Sequence, residues 1–271
     1  MSFLNAILMG ILQGLTEFLP VSSSGHLVLA QHFLGVKESG NILFEVFLHL
    51  GTLLAVIIFF RKRIWGLILS LLGKKEYRSR DTAHKDRMII IYLIIATAVT
   101  GLVYQILGNP IESLYHKPLV VAFMLIITGI IVFASDYVKK GNISAAKMGF
   151  PRSLFIGLTQ GMAIIPGISR SGSTIAASIF SGIKREEAAE FSFLLSIPAI
   201  LGANLVSFKQ FSNLNFNQLL VYLAGFLAAF VAGYLVIGFL LKLITKAKLK
   251  FFAYWCWAIA LISIIFLLLE R

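Results

Sequence analysis

The sequence contains little cysteine and little charge for its length. Its 271 residues include one cysteine, Cys256, so neither an intramolecular disulfide nor a cysteine-based metal cluster is available to stabilise the fold. Charged residues make up 13% of the chain and hydrophobic residues 58%, which is outside the usual balance of a soluble globular domain. This composition predicts an integral membrane protein whose fold rests on helix packing.

Acidic residues are scarcer than basic ones, with 12 Asp and Glu against 24 Lys and Arg. Binding to nucleic acid would need the basic residues on one water-exposed face. They lie instead in short tracts between apolar runs, which is typical of membrane topology signals. We therefore expect bilayer lipids, and no nucleic acid, as partners.

Several apolar runs approach the roughly 20 residues that a helix needs to cross about 30 Å of hydrocarbon. Six such runs lie at residues 42–60, 88–107, 118–138, 190–207, 218–241 and 251–269. Two further apolar stretches, 3–35 and 154–183, are broken in the middle by Pro, Gly and Ser. Lipid cannot form hydrogen bonds with the backbone N–H and C=O groups that a break in a helix leaves unpaired. We therefore interpret both stretches as re-entrant helical hairpins buried in protein. The predicted fold is all-α, a single membrane domain over residues 1–271.

The distribution of Lys and Arg predicts the orientation. The loop from Arg61 to Arg87 has nine basic and three acidic residues, and the tracts "KKGNISAAKMGFPR" and "KLITKAKLK" are also basic, so all three are expected in the cytoplasm. The connectors 108–117 and 208–217 are poor in positive charge and are expected outside. On this path hairpin 3–35 enters from outside, hairpin 154–183 enters from the cytoplasm, and both termini lie outside.

The two interrupted stretches resemble each other. Aligning "GILQGLTEFLPVSSSG" with "GLTQGMAIIPGISRSG" at an offset of 147 residues requires no gap. It matches Gly10 with Gly157, Gln13 with Gln160, Gly14 with Gly161, Ser22 with Ser169, Ser24 with Ser171 and Gly25 with Gly172. This similarity predicts an internal repeat, with repeat one over 1–140 and repeat two over 141–271. Since the hairpins enter from opposite faces, the repeats have inverted topology, and a polar site is expected where their tips meet.

Polar residues at the two tips are typical of an anion site. Gln13 and Glu17 lie one helical turn apart on one face. A charged side chain such as that of Arg170 costs free energy within a membrane segment. Its planar guanidinium is suited to bind phosphate oxygens. Hydroxyls and helix N-termini after each break would add further donors. We therefore predict a phosphate or diphosphate site whose binding residues are Gln13, Ser22, Ser24, Ser169, Arg170, Ser171, Ser173 and Thr174.

Arg170 and the serines also have simpler, purely structural interpretations. Arg170 could pair with Glu17 as a structural lock between the repeats, and a single serine could bond only to a carbonyl one turn back. His26, close to Glu17 and the hydroxyls, is a candidate acid, base or nucleophile. His49 and Glu45, four residues apart, could support the site or could face the membrane interface.

The motifs "QGLTEFLPVSSSGHL" and "PGISRSGST" resemble those of the bacterial undecaprenyl pyrophosphate phosphatases of the bacitracin-resistance family. The resemblance covers essentially the whole chain, including "EFSFLLSIPAILGA". It implies a bacterial plasma-membrane enzyme with an outward-facing site that removes the terminal phosphate from a C55 isoprenoid diphosphate. The monophosphate carrier for cell-wall precursors is thereby regenerated. By the family's motifs the implied functional residues are Gln13, Glu17, Ser23, His26, Ser169, Arg170 and Thr174.

The resemblance also implies dependence on a divalent metal. We expect Mg²⁺ or Ca²⁺, which prefer oxygen ligands, to be held by Glu17 and Gln13. Some members of the family have Glu where this chain has Gln13. The motif of this chain therefore supplies one carboxylate, Glu17, instead of two. The expected catalytic set is Glu17, His26, Ser23 and Arg170, with the nucleophile left open between His26, Ser23 and water.

An alternative function is a transporter or flippase for a phosphorylated polyprenyl lipid or a small anion, because inverted repeats with broken helices are typical of transporters. His26 and Glu17 opposite Arg170 favour hydrolysis, since a carrier needs no proton-transfer group. A non-catalytic scaffold would explain neither tip. Whether the chain forms a homo-oligomer is left open.

Overall fold

The computed structural model describes residues 1–35, 42–72, 79–207, 215–246 and 248–270. Within these ranges the chain is helical, which confirms the predicted all-α class. The helices are α1 (Phe3–Phe18), α2 (Ser23–Phe33), α3 (Ile42–Phe59), α4 (Arg61–Leu71), α5 (Arg80–Glu112), α6 (Pro118–Asp136), α7 (Gly149–Met162), α8 (Arg170–Phe180), α9 (Arg185–Ser207), α10 (Phe216–Thr245) and α11 (Lys250–Leu269). Short 3₁₀ turns cover Ser113–His116 and Ala145–Lys147.

A helix lies at every apolar run that the sequence analysis identified as a span. Four helices are long and apolar enough to cross a membrane: α5, α6, α10 and α11. Helices α3 and α4 together form a fifth candidate, bent by 73°. Helix α9 occupies the remaining predicted span, 190–207. The chain is therefore a multi-pass membrane protein, while the count of six crossings stays a prediction.

The prediction of a loop from Arg61 to Arg87 is wrong, because much of this segment is helical. Residues 61–71 form α4, which buries Leu67 and Leu69. Helix α5 begins earlier than expected because Ser79 is its N-cap and accepts a hydrogen bond from the Thr82 amide at 3.3 Å. It also continues to Glu112, into the connector expected at 108–117. Most of the other predicted outer connector, 208–217, lies outside the described residues.

Both interrupted stretches form two short helices separated by a break. Helix α1 ends at Phe18 because Leu19 is extended before Pro20, and the residue before a proline is disfavoured in a helix. Helix α7 ends at Met162, before the Pro166–Gly167 segment. Helices α2 and α8 have 11 residues each. At about 1.5 Å per residue neither crosses the hydrocarbon alone, as predicted.

Glycines allow α1 to pack closely against α10. A Cβ atom added at Gly10 would lie 2.3 Å from the Gly225 carbonyl oxygen, and one at Gly14 would lie 2.5 Å from the Ala229 carbonyl oxygen. Such distances are shorter than any ordinary contact. This spacing of small residues one turn apart is typical of tightly packed membrane helices.

The matched glycines of the second stretch have the same function. Gly157 and Gly161 lie where α7 packs against α5, and an added Cβ would lie 2.6 Å from the Ala96 carbonyl oxygen and 2.5 Å from Val103 Cβ, respectively. The first helix of each broken pair thus packs against a long helix, and the contacts use positions that the internal alignment pairs. These equivalent contacts support the internal repeat, which stays a prediction.

The tips of the two broken pairs meet, as predicted. Ser171 Oγ at the start of α8 donates a hydrogen bond to the Leu19 carbonyl in the first break at 2.9 Å. A Cβ added at Gly25 would lie 3.0 Å from Gly167 Cα. Gly167 has a φ of +94°, a conformation that side chains with a Cβ rarely adopt. The two breaks therefore form one buried region.

We predict that one added methyl group destabilises the protein at Gly14 but not at Gly101. Gly14→Ala should lower the thermal unfolding temperature in detergent, because α1 and α10 must separate to admit the new Cβ. Gly101→Ala in α5, where an added Cβ meets nothing within 4 Å, should leave it unchanged or raise it slightly, since alanine favours a helix. Equal destabilisation by both substitutions would contradict the close packing of α1 on α10.

Candidate functional site

Glu17 is the centre of the polar cluster between the tips. It lies in the last turn of α1 with 7% of its surface exposed. Its Oε1 atom pairs with Arg170 Nη2 at the first residue of α8. Its Oε2 atom accepts hydrogen bonds from Gln13 Nε2 at 3.0 Å and from Ser23 Oγ at 2.6 Å. Four of the predicted functional residues are therefore in direct contact.

The local sequence explains this convergence. Gln13 and Glu17 are four residues apart on α1, so their side chains lie on the same helical face. Ser23 and Arg170 are the first residues of α2 and α8, so each directly follows a break. An offset of 147 residues makes Ser23 and Arg170 equivalent positions of the two stretches. Both side chains contact the single carboxylate of Glu17.

Equivalent serines cap the two short helices. Ser22 Oγ accepts a hydrogen bond from the Gly25 amide at 3.2 Å, and Ser169 Oγ accepts one from the Gly172 amide at 3.0 Å. Each capping hydroxyl also lies close to the hydroxyl two residues on, at 3.3 Å for Ser24 and 3.2 Å for Ser171. Ser22 and Ser169 thus satisfy amides at the helix starts.

Two further predicted binding residues, Thr174 and Ser173, lie on α8. Thr174 Oγ1 lies 2.9 Å from the Arg170 carbonyl and 2.6 Å from Ser192 Oγ. Ser192 was not identified from the sequence. Ser173 is buried one turn after Arg170. Of the predicted anion-binding residues, Gln13 and Arg170 form hydrogen bonds with Glu17.

Both ring nitrogens of His26 form hydrogen bonds within the protein. Its Nδ1 atom lies 2.8 Å from the Ser22 carbonyl oxygen, to which it donates. Its Nε2 atom accepts a hydrogen bond from the indole N–H of Trp255 at 2.9 Å. Sequence reasoning missed Trp255, because 229 residues separate it from His26 and no local pattern connects the two.

His49 contributes to the cluster around Glu17. Its Nδ1 atom donates to the Glu45 carbonyl one turn back at 2.8 Å, which directs Nε2 toward Glu17 Oε2 at 3.7 Å. The Glu45 carboxylate accepts a hydrogen bond from Gln31 Nε2 at 3.4 Å. The sequence left His49 open between support of the site and interfacial exposure, and this geometry favours support.

Two buried polar atoms of the cluster have no hydrogen-bond partner among the described residues. They are Arg170 Nη1 and Gln13 Oε1. A buried unpaired donor is costly, and an oxygen of a bound anion would satisfy Arg170 Nη1. Gln13 Oε1 is a neutral oxygen beside the Glu17 carboxylate, which fits a hard divalent cation. The arrangement can therefore hold an anion next to a hydroxyl and a carboxylate.

No three His, Cys, Asp or Glu side chains within the described ranges are grouped so as to hold a metal ion. A divalent ion at this site would therefore draw on Gln13 Oε1, Glu17 and oxygens of the ligand or water. Mg²⁺ is usually held by few protein ligands, and phosphate oxygens complete its coordination shell. The residues present fit such an ion.

These features define a multi-pass helical membrane protein with a buried polar cluster, centred on the Glu17–Arg170 pair, where two broken helices meet. Residues 6–262 match the family described as bacitracin resistance protein BacA, and the chain belongs to this family. The match includes both breaks and every residue of the Glu17 cluster.

Curated relatives are similar over nearly their whole length. A protein of Methanobrevibacter smithii is 45% identical over 97% of this chain and 96% of its own length. One from Treponema denticola is 45% identical over 94% of each chain, and one from Desulforapulum autotrophicum is 42% identical over 98% of each. All three are named undecaprenyl-diphosphatase.

We predict that removing the charge of Glu17 strengthens anion binding. The Glu17 carboxylate repels an anion bound at Arg170 Nη1, so the neutral Glu17→Gln variant should show a larger thermal shift with inorganic diphosphate, measured in EDTA. Arg170→Gln should abolish the shift, and Arg61→Gln, at an exposed arginine, should retain it. If Arg170→Gln and Arg61→Gln respond alike, Arg170 is not the anion-binding group.

Proposed function

We propose that this chain hydrolyses undecaprenyl diphosphate to undecaprenyl phosphate and inorganic phosphate. Support comes from membership of the BacA family and from full-length relatives named for this activity. The reaction would return the lipid carrier to cell-wall synthesis and confer resistance to bacitracin. These names favour hydrolysis over the transport alternative.

One observation ties the activity to the Glu17 cluster: the buried Nη1 atom of Arg170 has no partner among the described residues. Arg170 Nη2 already pairs with Glu17, which makes the contact a lock between the two tips. This structural role alone leaves the Nη1 donor of Arg170 without a hydrogen-bond acceptor among the described residues. An oxygen of the terminal phosphate would fill this position and bring the phosphorus next to Ser23.

Ser23 is the proposed nucleophile. Its hydroxyl lies 2.6 Å from Glu17 Oε2, so Glu17 can accept the hydroxyl proton as Ser23 Oγ attacks the terminal phosphorus. The bond between that phosphorus and the bridging oxygen breaks, and undecaprenyl phosphate leaves with the bridging oxygen. Arg170 stabilises the charge on the transferred phosphoryl group.

Water then displaces the serine from phosphorus, and the proton on Glu17 returns to Ser23 Oγ. The products are inorganic phosphate and the unmodified serine. His26 is the other candidate nucleophile among the protein side chains, but its Nε2 atom already accepts the Trp255 hydrogen bond. This contact favours Ser23.

A divalent ion bound through Glu17 and Gln13 Oε1 would neutralise phosphate charge and orient the terminal phosphate. Gln13 has two functions in this arrangement. Its Nε2 atom holds Glu17 Oε2 in place at 3.0 Å, while its Oε1 atom stays free for the ion. The amide therefore replaces a second carboxylate without adding negative charge.

We predict that purified protein releases phosphate from a long-chain isoprenyl diphosphate and that EDTA suppresses the release. Arg170→Ala should lower the rate by at least about 100-fold to 1,000-fold, as expected for loss of a preorganised charge stabiliser. Ser23→Ala and Glu17→Gln should cause losses of similar size, because they remove the nucleophile and its base.

Arg61→Ala, at an exposed arginine of α4, is the matched control and should keep the parental rate. Near-normal turnover by Arg170→Ala would reject the assignment of the site. Movement of labelled lipid across liposomes without phosphate release would favour the transport alternative.

We further propose that the site faces the outer side of the membrane and that both termini lie outside. His32 near the end of α2 contacts Glu270 after α11 at 3.0 Å, so both helix ends lie at one face of the molecule. At the start of α4, Arg63 pairs with Glu190 on α9 at 2.5 Å. These groupings agree with the orientation predicted from the basic loops.

We predict that a membrane-impermeant maleimide distinguishes the two faces. In a Cys256→Ala background, Ser113→Cys should be labelled in intact cells, because it lies in the connector expected outside. Lys140→Cys, in a basic tract, should be labelled only after the membrane is permeabilised. The opposite pattern would reverse the proposed orientation.

A further inference from the structure

The turn before Ser23 is strained. Ser22 has a φ of 69° and a ψ of 96°, and within the described ranges it is the one residue other than glycine with positive φ. A side chain with a Cβ is disfavoured there, so the surrounding structure must hold it. Such strain is often found at functional sites.

Helix capping alone does not require this strain. Ser169 is the equivalent residue of the second tip and caps α8 with the same hydrogen-bond pattern. Its φ of −74° and ψ of 118° are ordinary extended values. In that tip the positive φ falls on Gly167, where it has no steric cost. The strained serine is thus specific to the tip that carries Ser23.

Two hydrogen bonds in series support the strained residue. His26 Nδ1 donates to the Ser22 carbonyl at 2.8 Å, and Trp255 Nε1 donates to His26 Nε2 at 2.9 Å. The planes of the two rings are within 4° of parallel. Both imidazole nitrogens are occupied, so the ring orientation is fixed, and His26 itself is buried. The second tip has Ser173 at the position equivalent to His26.

We propose that Trp255 and His26 are positioning residues that hold Ser22 in its strained conformation and so direct Ser23 Oγ at Glu17. This inference rests on the proposed phosphatase function, in which Ser23 is the nucleophile. Trp255 acts through His26, and neither exchanges a proton with the substrate. The last helix of the chain thereby controls the geometry of the first tip.

Trp255 and Trp257 form a matched pair for the test. Both are on α11, and Trp257 Nε1 also donates a hydrogen bond, to the Ile126 carbonyl at 3.1 Å. Trp255→Phe should lower kcat about tenfold with little change in KM, as expected for loss of one positioning hydrogen bond. Trp257→Phe should keep the parental kcat, whatever its effect on thermal stability. Equal kcat values for the two variants would overturn the proposal.

The effect should depend on Ser22. In a Ser22→Gly background positive φ has less steric cost, so Trp255→Phe should reduce kcat by a clearly smaller factor than in the parent. An undiminished factor would show that Trp255 does not act through this turn and would overturn the proposal.

His26 variants separate positioning from chemistry. His26→Asn can still donate to the Ser22 carbonyl and should retain at least about ten times the kcat of His26→Ala. If both variants are equally inactive, His26 takes part in the reaction itself and the proposal fails.

The contact can also be measured without turnover. In a protein whose other tryptophans, Trp65 and Trp257, are replaced by Phe, His26→Ala should shift the emission of Trp255. A parent protein that releases no phosphate but shows this shift would refute the proposed function and leave the Trp255–His26 contact standing. Unchanged emission would refute the contact.

Discussion

The ion pair between Glu17 and Arg170 is the interaction on which the arrangement of the two tips depends. Each charge is largely buried, with 5% of the Glu17 side chain and 17% of the Arg170 side chain exposed. A charge left unpaired in such a place is strongly destabilising. The pair joins α1 to α8, so each broken helix compensates the charge of the other. The breaks can persist within apolar surroundings because they face one another.

The same contact accounts for both interpretations of Arg170. As a lock, it uses Nη2 and Oε1 and holds the tips together. As a binding site, it leaves Nη1 buried without a partner among the described residues. A guanidinium has several donors in a fixed plane, so it can keep one carboxylate and add one phosphate oxygen. Pairing with Glu17 and the proposed binding of an anion therefore use different atoms of one side chain.

Local patterns predicted the parts of the site that depend on local geometry. Gln13 and Glu17 share a helical face because they are four residues apart, and the paired motifs indicated that Ser23 and Arg170 follow equivalent breaks. Contacts across long separations have no such pattern. Trp255 reaches His26 over 229 residues, and no periodicity indicates it.

Other differences from the prediction have local causes that a hydropathy pattern does not resolve. The sequence predicts a loop where α4 lies, because the basic start of this segment indicates a cytoplasmic loop despite its apolar end. The positive φ of Ser22 could not be expected, since serine rarely adopts it and the equivalent Ser169 does not. The sequence thus indicated that the two tips meet, but not how the first tip is held.

The two tips share a scaffold and divide the chemistry. At equivalent positions the first has Ser23 where the second has Arg170, and the first has Glu17 where the second has Ile164. The capping serines and the closely packed glycines are the same in both. A site with two identical tips would place two like groups together, with no charge to balance them. Because the substitutions are complementary, one tip supplies the hydroxyl and the carboxylate, the other supplies the guanidinium, and neither half contains the whole cluster.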